Sequence, residues 1–134
     1  MVESGTVIAR VRLGWRLTGI GMLAVVWWGC LTPSPPNIPQ LFPHIDKFEH
    51  FFAYLVLAAW FAAIYPQRRQ RITILILLIV MGGCIEILQH YTGRDAEWLD
   101  WLADIVGVLL GLTWPARWLG VMFQALVNKY ARAN

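Results

Sequence analysis

Charged residues are scarce in this sequence. Asp, Glu, Lys and Arg make up 14% of the 134 residues, while apolar side chains make up 58%. A soluble domain is about a quarter charged and about half apolar. The pI is near 9.2, but no basic stripe lies outside the segments that flank apolar runs, so nothing indicates nucleic-acid binding. The composition therefore indicates a chain that lies in lipid.

The sequence also has few residues suited to nucleophilic chemistry and no dense metal-binding motif. Its two cysteines, Cys30 and Cys84, lie inside apolar runs, where an unpaired cysteine usually behaves as a small hydrophobic residue. Ser4 and Ser34 lie in expected loops, and no dense ligand motif such as His-Glu-x-x-His occurs. We therefore predict no cofactor, no metal site and no nucleophilic catalysis, and the disulfide state of the two cysteines stays open. The alternative to the absence of a metal is a divalent cation held by residues that offer hard and borderline ligands: His50, Glu86, His90, Asp100 and Asp104.

Four apolar runs approach the length of about 20 residues that a transmembrane helix needs. They cover residues 14–31, 48–65, 72–90 and 98–114. Residues 116–131 alternate apolar and polar side chains at helical spacing, which is typical of a helix that lies in the membrane interface. The predicted fold is an all-α membrane protein with one domain, residues 1–134: a bundle of four transmembrane helices plus a C-terminal interfacial amphipathic helix. Continuation of the fourth span past Pro115 is the alternative.

Lysine and arginine predict how these spans are oriented, because basic residues are enriched on the cytoplasmic side. Nine of the eleven fall before or at the very start of the first predicted span, between the second and third, or after the fourth, and only Lys47 and Arg94 lie in the other connections. We therefore predict a multi-pass protein of the bacterial inner (cytoplasmic) membrane with both termini in the cytoplasm. Residues 32–47 and 91–99 would then face outward.

Polar residues collect near the predicted outer ends of three spans. Asp46, His50 and Tyr54 recur every four residues, so a helix places them on one face. Glu86 and Gln89 share a face of the third span, and Asp100 and Asp104 share a face of the fourth, followed by Gly107 and Gly111. At a rise of about 1.5 Å per residue, the three helices would carry polar groups to a common level roughly 6 to 10 Å below the outer surface.

Several interpretations of this cluster compete. Placing a carboxylate in lipid costs free energy, so these side chains should face the interior of the helix bundle and pair with one another. They could form a binding site, or a hydrogen-bonded network that only fixes helix packing, and Lys47 could form a simple surface ion pair. Trp27, Trp28, Trp98, Trp101 and Trp114 are interpreted as interfacial anchors.

The same residues resemble a known family. Residues 46–54, Asp-Lys-Phe-Glu-His-Phe-Phe-Ala-Tyr, resemble the Asp-Lys-x-x-His-x-x-x-Tyr signature of the VanZ-like family. Glu86, Gln89, Arg94, Asp100, Asp104, Gly107 and Gly111 resemble its second block, except that Asp104 stands where the family typically has asparagine. The resemblance covers roughly residues 17–114. It implies a bacterial envelope protein, because the family is named for a protein associated with teicoplanin resistance, and it implies no known reaction.

The leading functional hypothesis is an outer site that binds a lipid-linked or cell-wall-related group. Its predicted ligand-binding residues are Asp46, Lys47, His50, Tyr54, Glu86, Gln89, Arg94, Asp100 and Asp104, with Lys47 and Arg94 meeting anionic atoms. If there is catalysis, His50 and Glu86 are the candidates for proton transfer. The partners expected are membrane lipids. The alternative is a non-catalytic accessory subunit that docks on a larger membrane protein complex. Ion conduction ranks last, because the inner halves of the second and third spans contain no ionisable residue that could continue a path.

Overall fold

The computed structural model describes residues 2–32, 45–92 and 97–132, with side chains described for 5–32, 45–92 and 97–130. These ranges contain five helices and no strand, which confirms the all-helical class. The helices are α1 (Val2–Leu31), α2 (Ile45–Ile64), α3 (Arg68–Thr92), α4 (Trp98–Gly111) and α5 (Trp114–Arg132). Residues 33–44, most of the predicted outward-facing connection 32–47, lie outside the described residues.

Helix α2 lies at the centre of the bundle and contacts each of the other four helices. Its buried face combines Tyr54 and Leu57 with a run of alanines, Ala58, Ala59, Ala62 and Ala63. On α4, a Cβ added to Gly107 would collide with the Phe51 carbonyl oxygen, and one added to Gly111 would collide with that of Leu55. In lipid, helices associate by such close backbone packing, because apolar burial gives little drive there.

The second half of α1 runs alongside α2 in the opposite direction. At one end the Trp15 and Trp60 rings stack with centroids 4.3 Å apart, and Trp60 Nε1 donates to the Trp15 carbonyl oxygen at 2.9 Å. At the other end Gln89 Nε2 of α3 donates to the Cys30 carbonyl oxygen at 2.9 Å. The ends of α1 and α3 therefore meet the starts of α2 and α4 at one end of the bundle, which we call the polar end.

Helices α4 and α5 form a bent pair, with an angle of 51° between them. The helix that starts at Trp98 ends at Gly111 rather than at the predicted 114. Pro115 is the physical reason, because it has no N–H to continue the preceding helix but fits the first turn of a new one. Arg71 Nη1 donates to the Leu112 carbonyl oxygen at 3.2 Å and so satisfies an acceptor at the break.

The last helix, α5, packs against α1 and α2. Ala116, Phe123 and Val127 are buried on one face, and the Phe123 ring lies 4.8 Å from that of Trp15. The predicted helix at 116–131 is therefore present, but part of its apolar face contacts neighbouring helices. The sequence pattern could not distinguish that use from contact with lipid, because both favour the same apolar stripe.

Two of the described helices, α2 and α3, are long and apolar enough to cross a membrane. The bent pair of α4 and α5 is a third candidate if it forms one span. Helix α1 is not among these candidates, and it is longer than predicted because nothing in residues 2–13 breaks a helix. The described helices therefore indicate a membrane-associated protein with two or three candidate spans.

Candidate functional site

Lys47 is the centre of an ion-pair group at the polar end. Its Nζ lies 2.6 Å from Glu97 Oε2, 3.3 Å from Asp46 Oδ2 and 3.3 Å from Asp100 Oδ1. The contact with Asp100 is an ion pair without hydrogen-bond geometry. Lys47 stands in the first turn of α2 and the two residues 97 and 100 stand at the start of α4, so this group ties the two helices together. An ammonium already held by three carboxylates has little capacity left for an anionic ligand.

His50 and Asp104 form a second contact between α2 and α4, one helical turn deeper. His50 Nδ1 lies 3.0 Å from Asp104 Oδ1, and the two residues are 7% and 0% exposed. Gly82 on α3 makes room for this carboxylate, since a Cβ there would lie 2.6 Å from Asp104 Oδ2. With Asp104 ionised, its carboxylate accepts a hydrogen bond from His50 Nδ1–H, and this tautomer leaves His50 Nε2 for another partner.

Several buried polar atoms near this pair have no hydrogen-bond partner among the residues that the structure describes. They are both carboxylate oxygens of Glu86, Gln89 Oε1, Asp100 Oδ1, Asp104 Oδ2 and the Tyr54 hydroxyl. Buried polar groups in folded proteins are nearly always satisfied. Such a concentration at one end of a helix bundle therefore indicates that something else, such as water, an ion or a ligand group, completes these bonds.

Two sets of three side chains at the polar end bring potential metal-ligand atoms within 4.8 Å of one another. One set is His50, Glu86 and Asp100, and the other is Asp46, Glu97 and Asp100. The first set draws one residue from each of α2, α3 and α4. It therefore exists only when these three helices are packed.

A small cleft opens beside His50, between α1 and α2. Its volume is about 170 Å³, and its lining includes Gly29, Cys30, His50 and Tyr54. At Val26 and Ala53 it meets a shallower, almost wholly apolar groove of about 660 Å³ between the same helices, which extends along α1 to Thr18. A pocket for a small ligand usually has a volume of about 300 to 1,000 Å³. The cleft is smaller than this range and could hold only a polar fragment, whereas the groove could hold an apolar extension of that fragment.

The structure brings most of the predicted site residues together. Asp46, Lys47, His50, Glu86, Asp100 and Asp104 surround one region of the polar end. Tyr54 lies one turn below His50 in the cleft wall, and Gln89 is hydrogen-bonded to the Cys30 carbonyl oxygen of α1. Arg94 lies outside the described residues. That the set binds a ligand, or that His50 or Glu86 transfers a proton, stays a prediction.

Sequence reasoning missed two residues of this region. Glu97 makes the shortest ion pair of Lys47, and its only sequence signal is its position directly before the start of α4. Trp101, interpreted as an interfacial anchor, donates a hydrogen bond from Nε1 to the Ile79 carbonyl oxygen at 2.9 Å. Its ring also packs against Gly83, where an added Cβ would lie 3.5 Å from the nearest ring atom. It therefore also joins α4 to α3, beneath the carboxylates.

Comparison with known proteins gives no family, since no protein-family model, no curated protein and no solved structure matches the chain.

Proposed function

We propose that this chain is a VanZ-like bacterial envelope protein that holds the polar head of a lipid-linked group at the polar end of a four-span bundle. The observation that carries the proposal is the cleft beside His50, which opens into an apolar groove along α1 and α2. From Val26 to Thr18 the groove follows α1 for roughly 12 Å. A cleft that carries the polar side chains Asp46, Glu49 and His50 in a partly apolar wall, and that is joined to an apolar groove, suits an amphiphile.

The packing of α4 and α5 supports the four-span arrangement. Helix α4 alone has 14 residues, which span about 21 Å and fall short of a hydrocarbon core of about 30 Å. Its contacts with α2 begin at Lys47, and the early part of α5 still lies beside α2, with Gly120 next to Ala63. The bent pair thus follows the whole length of α2, a helix long enough to cross a membrane.

The second half of α1 covers the same length of α2, from Trp60 at one end to the cleft beside His50 at the other. The basic residues 10, 12 and 16 then lie at the end of the bundle opposite the polar end. This arrangement agrees with cytoplasmic termini in the bacterial inner membrane, because basic residues are enriched on the cytoplasmic side.

The unpartnered oxygens argue against a purely structural role for the cluster. A polar network whose only role is to fix helix packing stabilises the fold most when each of its polar atoms has a hydrogen-bond partner. Here both oxygens of Glu86 and one of Asp104 lack one among the described residues. The alternative, an accessory subunit, would dock through the exposed apolar surface of the helices. Contact with lipid explains that surface equally well.

Lipid retention tests the proposal. The protein is purified in mild detergent, and bound lipids are extracted and identified by mass spectrometry. Ala53→Leu fills the junction between the cleft and the groove, whereas Ala24→Leu adds the same bulk at an exposed position of α1. We expect one polar lipid enriched over the bulk membrane in the wild type and in Ala24→Leu, and lost in Ala53→Leu. Bulk lipid composition in all three would contradict the proposal, and fixed-stoichiometry copurification with other subunits would support the accessory role.

A further inference from the structure

The set formed by His50, Glu86 and Asp100 combines one imidazole nitrogen with two carboxylates. We propose that these three side chains bind one divalent cation. Carboxylates suit Mg²⁺, Ca²⁺ and Mn²⁺, and imidazole suits Zn²⁺ and other transition metals. The mixed set therefore fits Mn²⁺ or Zn²⁺ best. The inference rests on the proposed function to the extent that both place binding at the polar end, but the ion needs no lipid.

Unsatisfied acceptors are the observation that points to a cation. Five buried oxygens of Glu86, Gln89, Asp100 and Asp104 accept no hydrogen bond from any described residue. Asp100 is 4% exposed and brings a carboxylate oxygen within 4.8 Å of the ligand atoms of His50 and Glu86. Lys47 compensates the charge of Asp100 in part. Water could donate to the remaining oxygens, but it would leave the repulsion between the Glu86 carboxylate and its acidic neighbours uncompensated. A divalent cation removes both costs.

The contact between His50 and Asp104 prepares the histidine for an ion. Metal-bound histidine usually donates its second ring N–H to a carboxylate or carbonyl, which fixes the tautomer and the ring orientation. Asp104 Oδ1 lies 3.0 Å from His50 Nδ1. Nε2 is then the nitrogen that remains for the metal. Asp104 is a positioning residue in this arrangement.

The neighbouring set, Asp46, Glu97 and Asp100, does not need a metal. Lys47 Nζ lies within 3.3 Å of an oxygen from each of these three residues. The ammonium already occupies the cation position there. Asp100 belongs to both sets and contacts Lys47 on one side, so the carboxylate of the proposed metal set that has no cation beside it among the described residues is that of Glu86.

Binding requires only a small adjustment of the side chains. Metal–ligand bonds of about 2.1 Å hold the donor atoms about 3 to 4 Å apart, and the three ligand atoms now lie within 4.8 Å. A contraction of about 1 Å, within reach of rotamer changes in Glu86, is sufficient. Three protein ligands also leave coordination positions open for water or for an anionic headgroup.

Metal binding is tested with MnCl₂ alone, on protein purified in mild detergent and stripped with a chelator. Room-temperature electron paramagnetic resonance counts free Mn²⁺, and pulsed measurements detect the ¹⁴N coupling of a histidine ligand. We expect about one bound Mn²⁺ per chain with ¹⁴N coupling, displaced by Zn²⁺. Absence of stoichiometric binding, or a bound ion without ¹⁴N coupling, would overturn the inference whether or not any variant folds.

Variants assign the ligands. Glu86→Gln and Asp100→Asn should each weaken Mn²⁺ binding at least about tenfold, since even the loss of an outer hydrogen-bond partner costs a metal site that much. His90→Gln, one turn beyond Glu86 and exposed, is the matched control and should bind as the wild type does. Equal binding by all variants would overturn the assignment. Lipid is analysed on the same samples, so metal without retained lipid refutes only the proposed function, and lipid without metal refutes only this inference.

Discussion

Gly107 is the position where a single methyl group should affect both the packing and the candidate site. A Cβ there would collide with the Phe51 carbonyl oxygen and lie 3.1 Å from Leu55 N. Both neighbours are backbone atoms of α2, which cannot rotate away as a side chain can. In Gly107→Ala the two helices must therefore separate, by roughly 1 Å if ordinary van der Waals contact is to be restored.

The magnitude follows from two opposing effects. Overpacking of this kind costs about 1 to 3 kcal/mol, whereas replacing a helical glycine with alanine gains up to about 1 kcal/mol of helix propensity. Gly14→Ala is the matched control, because a Cβ at Gly14 meets nothing within 4 Å. We expect Gly107→Ala to be less stable than Gly14→Ala by about 2 kcal/mol.

The same separation should reach the site. Asp104 stands one turn before Gly107 on α4, and its Oδ1 lies 3.0 Å from His50 Nδ1. A shift of about 1 Å takes this pair beyond the distance of a hydrogen bond. Unfolding by SDS in mixed micelles, followed by tryptophan fluorescence, measures the free energy. If Gly107→Ala unfolds at the same SDS fraction as Gly14→Ala, the close contact between α2 and α4 does not exist as described.

Two further predictions concern the ion pairs and the topology. Lys47→Met should lower the free energy of unfolding by about 2 to 3 kcal/mol, because it leaves the buried Asp100 carboxylate facing two others. Glu97→Gln should lower the free energy of unfolding by under about 1 kcal/mol, because that side chain is 47% exposed. If both variants lose the same free energy of unfolding in the micelle assay, Lys47 is not shared among the three carboxylates. For the topology, single cysteines replace Thr92 at the polar end or Arg69 in the first turn of α3, at the opposite end, in a Cys30→Ala, Cys84→Ala background. A membrane-impermeant maleimide should label intact bacteria at 92 and leave 69 unlabelled until lysis, and the reverse pattern would refute the orientation.

The helices and the faces of their polar residues were predictable because both depend on local spacing. The four-residue repeat of Asp46, His50 and Tyr54 places these residues on one face of any helix that contains them. The break after Gly111 was harder to locate. Pro115 is compatible both with a helix end and with the first turn of a new helix, so the sequence left the boundary between α4 and α5 open.

The helical and apolar character of the chain follows from its residue pattern, and so does the collection of its histidines and of all its carboxylates but Glu3 near one predicted side. Which of these side chains meet depends on how the helices pack. Lys47 contacts Glu97 and His50 contacts Asp104 because α4 approaches α2 closely along Gly107 and Gly111. Neither oxygen of Glu86 accepts a hydrogen bond of standard geometry from a described residue. Such pairings depend on the distance and rotation between helices, and these quantities are set by packing rather than by spacing along one helix.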